Sequence, residues 1–310
     1  MLTLGIDTSN YATSLAVFDT NVGEVVCDKK QFLPVKKGQL GLRQSEALFH
    51  HVQALPGLLA ELNQQVPLHQ IDRVGVSARP RPVEGSYMPC FLAGVNAAVS
   101  FAMAKDISVI QTTHQQGHIT AALYAAAGRE LFSAPALVFH ISGGTTDLLY
   151  CKSIHEIECI GTSSDLYAGQ AVDRIGVKLG FEFPAGVMVS QLAAQCTEKI
   201  TPKSSVNGTQ CSLSGLENQC TALLAQGKSN EYVCKYCLLC IGQTVVRMTK
   251  AALQQYPGLP VVCAGGVMSS DIIADYVRAR LPKVYFVPGK YSSDNAIGVS
   301  ILAAEDWLNA

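Results

Sequence analysis

The sequence predicts an α/β protein of two lobes built by internal duplication, and three observations predict it. The chain has 310 residues, more than one hydrophobic core usually serves. Helix-like and strand-like apolar periods alternate along it. A strand, a short polar turn and a returning strand also occur twice, over residues 2–18 and again over 136–150, each opening one half of the chain. The expected lobes are residues 1–108 and 109–310.

Composition narrows the class. With 48% apolar and 15% charged residues, disordered and fibrous proteins are excluded. A formal charge of -1 leaves no overall electrostatic footprint for nucleic acid, so any RNA contact must be local or shared with a partner. Eleven cysteines in irregular spacing, behind an N-terminus without a basic and apolar leader, argue against a secreted disulfide framework and for a reduced cytoplasm. The longest apolar stretch, residues 90–104, is interrupted by Gly94, Asn96 and Ser100. It falls short of the roughly 18 to 20 residues of a bilayer span, so a buried helix and no membrane association are expected.

In order, Leu2 to Asp7 and Thr13 to Phe18 read as paired strands around the turn Thr8-Ser9-Asn10-Tyr11-Ala12. Leu48, Val52, Leu55, Leu58, Leu59 and Leu62 follow a helical period from Ser45 to Leu62, broken only by Pro56. A strand at Arg73 to Ser77, a proline-rich loop, the buried helix and a strand at Ile107 to Gln111 follow. Ala136 to Ile141 and Asp147 to Tyr150 are the second strand pair, around Ser142-Gly143-Gly144-Thr145-Thr146. Helices are expected over 168–179, 188–196 and 231–255, then a strand over 260–263, a helix from Ser270, a strand over 284–287 and a closing helix from Asn295.

Both turns expose backbone N–H groups and hydroxyls, as a phosphate site needs. Their recurrence suggests a nucleotide or acyl-phosphate cleft between lobes, and Gly265-Gly266 after an apolar strand would let a flat base or ribose lie against the backbone. His114 and His118 are four apart, on one face of a helical turn, as metal ligation requires. The same spacing suits two surface or capping histidines. Asp294, where a loop enters the last helix, is the candidate third ligand. Cys234, Cys237 and Cys240 have a spacing that suggests an iron–sulfur or zinc site, but a helix splays them along an arc, so buried core cysteines are the better reading. Asp165 and Asp173 serve equally as helix caps or as acids holding a substrate hydroxyl or amine.

Taken in order, Leu4-Gly5-Ile6-Asp7-Thr8-Ser9, His114-x-x-Gly117-His118, Ser142-Gly143-Gly144-x-Thr146, Ala171-Val172-Asp173-Arg174, Ser212-Leu213-Ser214-Gly215-Leu216, Ala264-Gly265-Gly266-Val267 and Ser293-Asp294-Asn295-Ala296 resemble the TsaD family over nearly the whole chain. That family makes the threonylcarbamoyl modification on adenosine beside the anticodon of tRNA. The resemblance implies the duplicated actin-like, sugar-kinase-like fold. It implies one divalent metal, iron, zinc or manganese, on His114, His118 and Asp294. It places Ser142, Gly143, Gly144, Thr145 and Thr146 over the phosphate of an adenine nucleotide or acyl-adenylate, and Asp173, Gly186, Gly265 and Gly266 at the substrate, with Ser270 where the family has asparagine.

The chain also departs from the family. Asn10, Tyr11 and Ala12 stand where the family has Cys-Asp-Glu, and the acid at the position of Tyr11 is assigned to catalysis; the catalytic residue of this chain is left open, with Asp7 as a candidate. Arg79-Pro80-Arg81 replaces Gly-Pro-Gly, and a guanidinium pair there suits an extra anionic group as well as a solvated loop. Thr145 replaces histidine, and the family's C-terminal tail is missing. The expectation is therefore a metal-dependent transferase that moves a threonylcarbamoyl or related carbamoyl group from an acyl-adenylate to tRNA adenosine or to a changed acceptor. It would act with help from other subunits, as a homodimer or a TsaB-like heterodimer. The rival expectation is a non-catalytic TsaB-like partner or nucleotide-binding subunit. An endopeptidase is disfavoured, because no glutamate follows His114 to act as general base.

Overall fold

Alternation along the first strand decides how the first unit is layered. In β1 (Leu2–Ser9), Leu4 and Ile6 face one way, while Thr3, Gly5, Asp7 and Ser9 face the other. Leu4 and Ile6 join Leu15 and Val17 of β2 (Ala12–Asp19) in a core with Leu55, Leu58 and Leu62 of α1 (Gln44–Gln65). β3 (Glu24–Phe32) extends this meander. β4 (Arg73–Arg79), α2 (Phe91–Lys105) and β5 (Ser108–Thr113) follow, with β4 and β5 parallel to β1, in the order β3-β2-β1-β4-β5. α2 adds Ala93, Ala98 and Ala102 to the same core. α3 (His114–Ala127) leaves β5 directly, with Thr113 as a capping residue that accepts a hydrogen bond from the Gln116 N–H at 3.2 Å. The computed structural model describes residues 1–9, 11–34, 42–132, 134–292 and 295–309.

The second unit repeats the plan. β6 (Ala136–Ile141), β7 (Thr146–Cys151) and β8 (Ile157–Thr162) form an antiparallel meander, followed by α4 (Ala168–Lys178) and α5 (Gly186–Ala194). A short ribbon, β9 (Ser205–Asn207) and β10 (Gln210–Ser212), precedes α6 (Ser214–Ala225) and α7 (Asn230–Gln255). Then come β11 (Val261–Ala264), α8 (Asp271–Arg278), β12 (Val284–Phe286) and α9 (Gly289–Ser292). The sheet order β12-β11-β6-β7-β8 has β11 and β12 parallel to β6, which is the first sheet's arrangement strand for strand. The duplication expected from the two hairpins is therefore structural. α7 walls the core with Val233, Cys237, Ile241 and Val245 against Phe139, Leu148 and Ile175.

The chain then returns to the first unit as α10 (Ile297–Leu302) and α11 (Glu305–Asn309). α10 lies flush on the polar face of β1: a Cβ on Gly5 would come within 2.5 Å of the Ser300 nitrogen, and one on Gly298 would run into the Gly117 carbonyl of α3. Thr3 Oγ1 donates to the Ser300 carbonyl at 2.7 Å, and Trp307 packs edge-on against Phe18 with ring centroids 4.7 Å apart. Small residues on that face thus bring the histidine helix, the first strand and the returning helix together.

Several linear expectations change. The compact units are Met1–Phe132 with Ser293–Ala310, and Ser133–Ser292, whereas the expected boundary at residue 108 falls at the start of β5, which completes the first sheet through β4. The helical period that Pro56 interrupts is one continuous helix, Gln44–Gln65. Pro56 and Gly57 lie on its exposed side, where solvent can serve the carbonyl that loses its partner. The closing helix begins at Ile297, not Asn295, and β3, β8, the β9–β10 ribbon and α6 carry no clear sequence period. Among the described residues no helix is long and apolar enough to cross a membrane.

Candidate functional site

In the first unit the functional geometry starts at the end of β1. Asp7 is 1% exposed, and both its oxygens are engaged. Oδ1 accepts from the Ser9 N–H at 2.8 Å, and Oδ2 accepts from Ser77 Oγ of β4 at 2.6 Å and from Nδ1 of His114 at 2.9 Å. Burial by itself pushes this carboxyl up. The charge and hydrogen bond of His114, with the bonds from Ser77 and Ser9, outweigh burial and hold it well below the usual carboxylate range. An ionised carboxylate only accepts, so Nδ1 of His114 carries a proton, and whenever the ring gives up its second proton the lone pair is on Nε2.

That Nε2 lies 3.0 Å from Nε2 of His118, one turn further along α3, with the two rings nearly perpendicular at 88°. His118 is largely buried, and the Phe91 ring packs edge-on against His114 at 6.2 Å. Two nitrogens each about 2.1 Å from one cation and about 90° apart would be separated by about 3.0 Å, so the pair fits a divalent metal. The carboxylate behind His114 is the partner such a ligand uses to fix its ring and tautomer. Asp294 lies outside the described residues, and among the described residues no group of three His, Cys, Asp or Glu side chains could hold a metal ion. Gly298, four residues after it in sequence, abuts Gly117, the residue before His118.

In the second unit the expected pieces gather at the carboxyl ends of the parallel strands β6 and β11, where open α/β sheets place ligands. The loop from Ser142 to Thr146 joins β6 to β7. Ser142 Oγ lies 2.8 Å from Thr145 Oγ1 and accepts from the Gly144 N–H at 3.2 Å. Thr146 Oγ1 accepts from the Ala168 N–H at 2.8 Å and ties the loop to the start of α4. Gly143 and Gly144 are exposed, with open space where a Cβ would be. The loop rests on Gly169, whose Cβ would come within 2.6 Å of the Ser142 carbonyl and 2.7 Å of the Gly143 backbone. Gly265, at φ 102°, is left-handed and its Cβ would strike the Ile141 backbone, while Gly266 beside it is open.

Asp173 sits one turn beyond Gly169 on the same face of α4. Its Oδ1 accepts from the Ala185 N–H at 2.8 Å, just before Gly186 opens α5, and burial pushes its carboxyl up. Ser270 Oγ, before α8, is buried without a hydrogen-bond partner. Asp165 is a latch: it accepts from Ser212 Oγ and Ser214 Oγ, both at 2.6 Å, and from the N–H groups of Leu213 at 2.8 Å and Leu166 at 2.6 Å. Cys234, Cys237 and Cys240 are buried thiols of α7, in accord with the core reading. Tyr11 is 40% exposed at the first turn, and Asn10 lies outside the described residues. Linear reading missed Ser77, Phe91 and Gly169. Ser77 and His114 reach Asp7 across 70 and 107 residues, and no local period marks such contacts.

A family model described as "TsaD: tRNA N6-adenosine threonylcarbamoyltransferase" matches residues 32–300. Among curated relatives, a protein of Streptococcus pneumoniae (strain ATCC 700669 / Spain 23F-1) is 26% identical over 98% of this chain and 92% of its own length. One of Streptococcus suis (strain 05ZYH33) is 28% identical over 99% and 92%. Both are named tRNA N6-adenosine threonylcarbamoyltransferase. The solved structure of (R)-2-hydroxyglutaryl-CoA dehydratase component A from Acidaminococcus fermentans aligns with a TM-score of 0.57 at 13% identity over 99% of each chain. A ROK family glucokinase from Streptomyces griseus aligns with a TM-score of 0.55 at 12% identity, over 98% of this chain and 100% of that one. These likenesses give the fold alone: the duplicated actin-like, sugar-kinase-like architecture that two matching five-stranded sheets display.

Proposed function

The chain belongs to the TsaD family of tRNA N6-adenosine threonylcarbamoyltransferases, and on that premise we propose that it is a metal-dependent acyltransferase that moves a threonylcarbamoyl or related carbamoyl group from an acyl-adenylate to the exocyclic amine of a tRNA adenosine. The observation that carries the reading is the convergence of the His114 and His118 Nε2 atoms at 3.0 Å with Asp7 behind them. A non-catalytic partner has no need of a carboxylate-oriented histidine pair, and relatives named as transferases do not favour that role.

His114 and His118 would hold the cation, with Asp294 as the proposed third ligand. A divalent ion bound there supplies Lewis acidity toward the donor's carbonyl oxygen. Asp7 fixes the ring and tautomer of His114 and does not itself meet substrate. The loop from Ser142 to Thr146, with Gly265 and Gly266, would receive the adenylate through backbone N–H groups and hydroxyls. Asp173, Gly186 and Ser270 would position donor or acceptor groups beside it. The amine attacks the carbonyl, a C–N bond forms, and the bond to the adenylate oxygen breaks with AMP carrying its electron pair. The amine proton passes to phosphate or water. Tyr11 supplies no carboxylate base, so activation of the amine rests on orientation and on the polarised carbonyl. A further subunit would supply tRNA affinity that a chain of charge -1 lacks.

The decisive experiment incubates the protein, loaded with iron, zinc or manganese, with threonylcarbamoyl-adenylate and unmodified tRNA, with and without a TsaB-like partner. Modified nucleosides are then read by mass spectrometry. Metal-dependent product that His114→Ala abolishes is expected. No product in any combination overturns the transfer reading.

A further inference from the structure

We propose that the outer edge of the second sheet, strand β12 with the cations that flank it, is the docking site for an extended acidic segment of a partner subunit. This deepens the transfer reading and rests on it for the need of such a subunit, since that reading leaves tRNA affinity to another chain.

The backbone supplies the pairing groups. β12 is the terminal strand of the order β12-β11-β6-β7-β8, and its bonds to β11 come from every second residue. The Lys283 carbonyl accepts from the Val261 N–H, and the Val287 N–H donates to the Cys263 carbonyl, both at 3.0 Å. Successive residues of a strand point their N–H and C=O groups to opposite sides. Those of Val284 and Phe286 therefore turn away from β11, and among the described residues no strand pairs with them. Such an edge is a template for another extended chain.

Charge selects the occupant. Residues 276–291 carry four cations, Arg278, Arg280, Lys283 and Lys290, and no carboxylate. All four are exposed, and none forms a salt bridge among the described residues. These charges deter pairing with a second copy of the chain, whose edge carries the same sign, and admit an acidic strand. Three of the cations lie over rings of the same stretch. The Arg280 guanidinium is 3.6 Å from the Tyr276 ring centroid, Arg278 is 5.0 Å from that of Phe286, and Lys290 Nζ is 4.7 Å from that of Tyr291. One N–H of Arg280 also donates to the Tyr276 carbonyl at 2.9 Å. Stacking steadies a guanidinium while the rest of its rim of five donors stays available to carboxylates. It also favours peptide over nucleic acid. Bases need open rings, and here cations cover three of the four, leaving a half-buried Tyr285. An acidic peptide uses both things the edge offers, backbone groups for its backbone and cations for its side chains. Lys283 opens β12 in the left-handed region, at φ 50°, which a side chain disfavours and glycine does not. Its ammonium can therefore be removed without harm to the backbone.

The test is fluorescence anisotropy of a labelled peptide of about ten alternating glutamates and valines, a pattern that is acidic and prone to extend, titrated with the full chain at low salt. No donor and no tRNA are present. Wild type should bind this peptide and should not bind the same peptide with lysine for glutamate. Lys283→Gly, which should melt no lower than wild type, and Arg278→Gln/Arg280→Gln should each weaken binding several-fold. Lys152→Ala, on the β7–β8 turn toward the far edge of the sheet, should not. Hydrogen exchange on the complex should show the Val284 and Phe286 amides slowed, which attraction by charge alone would not do. No binding by wild type, affinity indifferent to the substitutions at Lys283, Arg278 and Arg280, or unslowed amides overturns the proposal. So does an oligouridylate that binds these cations while the peptide does not, which would make the face a nucleic-acid surface. A chain that docks the peptide and transfers nothing keeps this site and fails the transfer reading. One that transfers normally without docking the peptide does the reverse.

Discussion

Asp7 and His114 lie 107 residues apart in the chain and 2.9 Å apart in space, Oδ2 to Nδ1. Because Asp7 is buried and also held by Ser77 and the Ser9 backbone, it acts as a fixed rest for the imidazole. Asp7→Asn should therefore keep the fold and lower metal affinity by about 10–100-fold, the usual effect of losing an outer-shell carboxylate. Titration of the apoprotein with zinc or manganese checks this. Unchanged affinity would remove Asp7 from the metal's support.

The second unit offers a steric contrast between neighbouring glycines. Gly169→Ala pushes a methyl group into the Ser142 and Gly143 backbone and should cost about 1–3 kcal/mol of stability. Its affinity for an adenine nucleotide should fall at least about tenfold, because the loop's N–H groups must tilt away from their common focus. Gly143→Ala meets nothing within 4 Å and should retain wild-type stability. Calorimetric titration with an adenine nucleotide, beside thermal melts, separates the two. Equal behaviour would mean that the loop does not rest on Gly169.

Asp165 sets an acid-sensitive contribution. Partial burial alone would raise its carboxyl, but the bonds from Ser212, Ser214, Leu213 and Leu166 prevail and hold it well below the usual range. A carboxyl whose folded value is depressed stabilises fully above its unfolded value of about 4. That contribution is lost as pH falls further, through the folded value. Asp165→Asn should thus melt lower than wild type at neutral pH, with the gap closing as the pH drops below about 4. Melting curves across that range decide it, and a gap independent of pH would contradict the latch.

Thiol chemistry should follow burial. Burial pushes the Cys234 thiol up to about 12 and the Cys240 thiol up to about 11, while Cys159 is exposed and Cys196 half-exposed. A thiol reagent should label Cys159 and Cys196 quickly in the native protein and the other cysteines only after denaturation. Peptide mapping after brief labelling checks the order. Rapid labelling of Cys237 would mean that α7 is not the packed wall described.

The amino-acid order by itself determined the duplication, the family and the list of chemistry-bearing residues. The hairpins at residues 2–18 and 136–150 repeat a period-2 pattern that needs no long-range information. His114 and His118 are placed together by one turn of α3, and glycines such as Gly265 announce positions where a side chain would not fit. Only the tertiary structure decided what those residues do to one another. Asp7, a candidate by its place in the first motif, meets Ser77 and His114 because β4 carries Ser77 beside β1 and α3 brings His114 to the same carboxylate. The lobe boundary moved for the same kind of reason, since α10 and α11 come home to the first sheet through contacts at Gly5 and Gly117. Hydrogen bonds and close packing form between atoms near in space, and a linear period reports only neighbours within a turn or a strand.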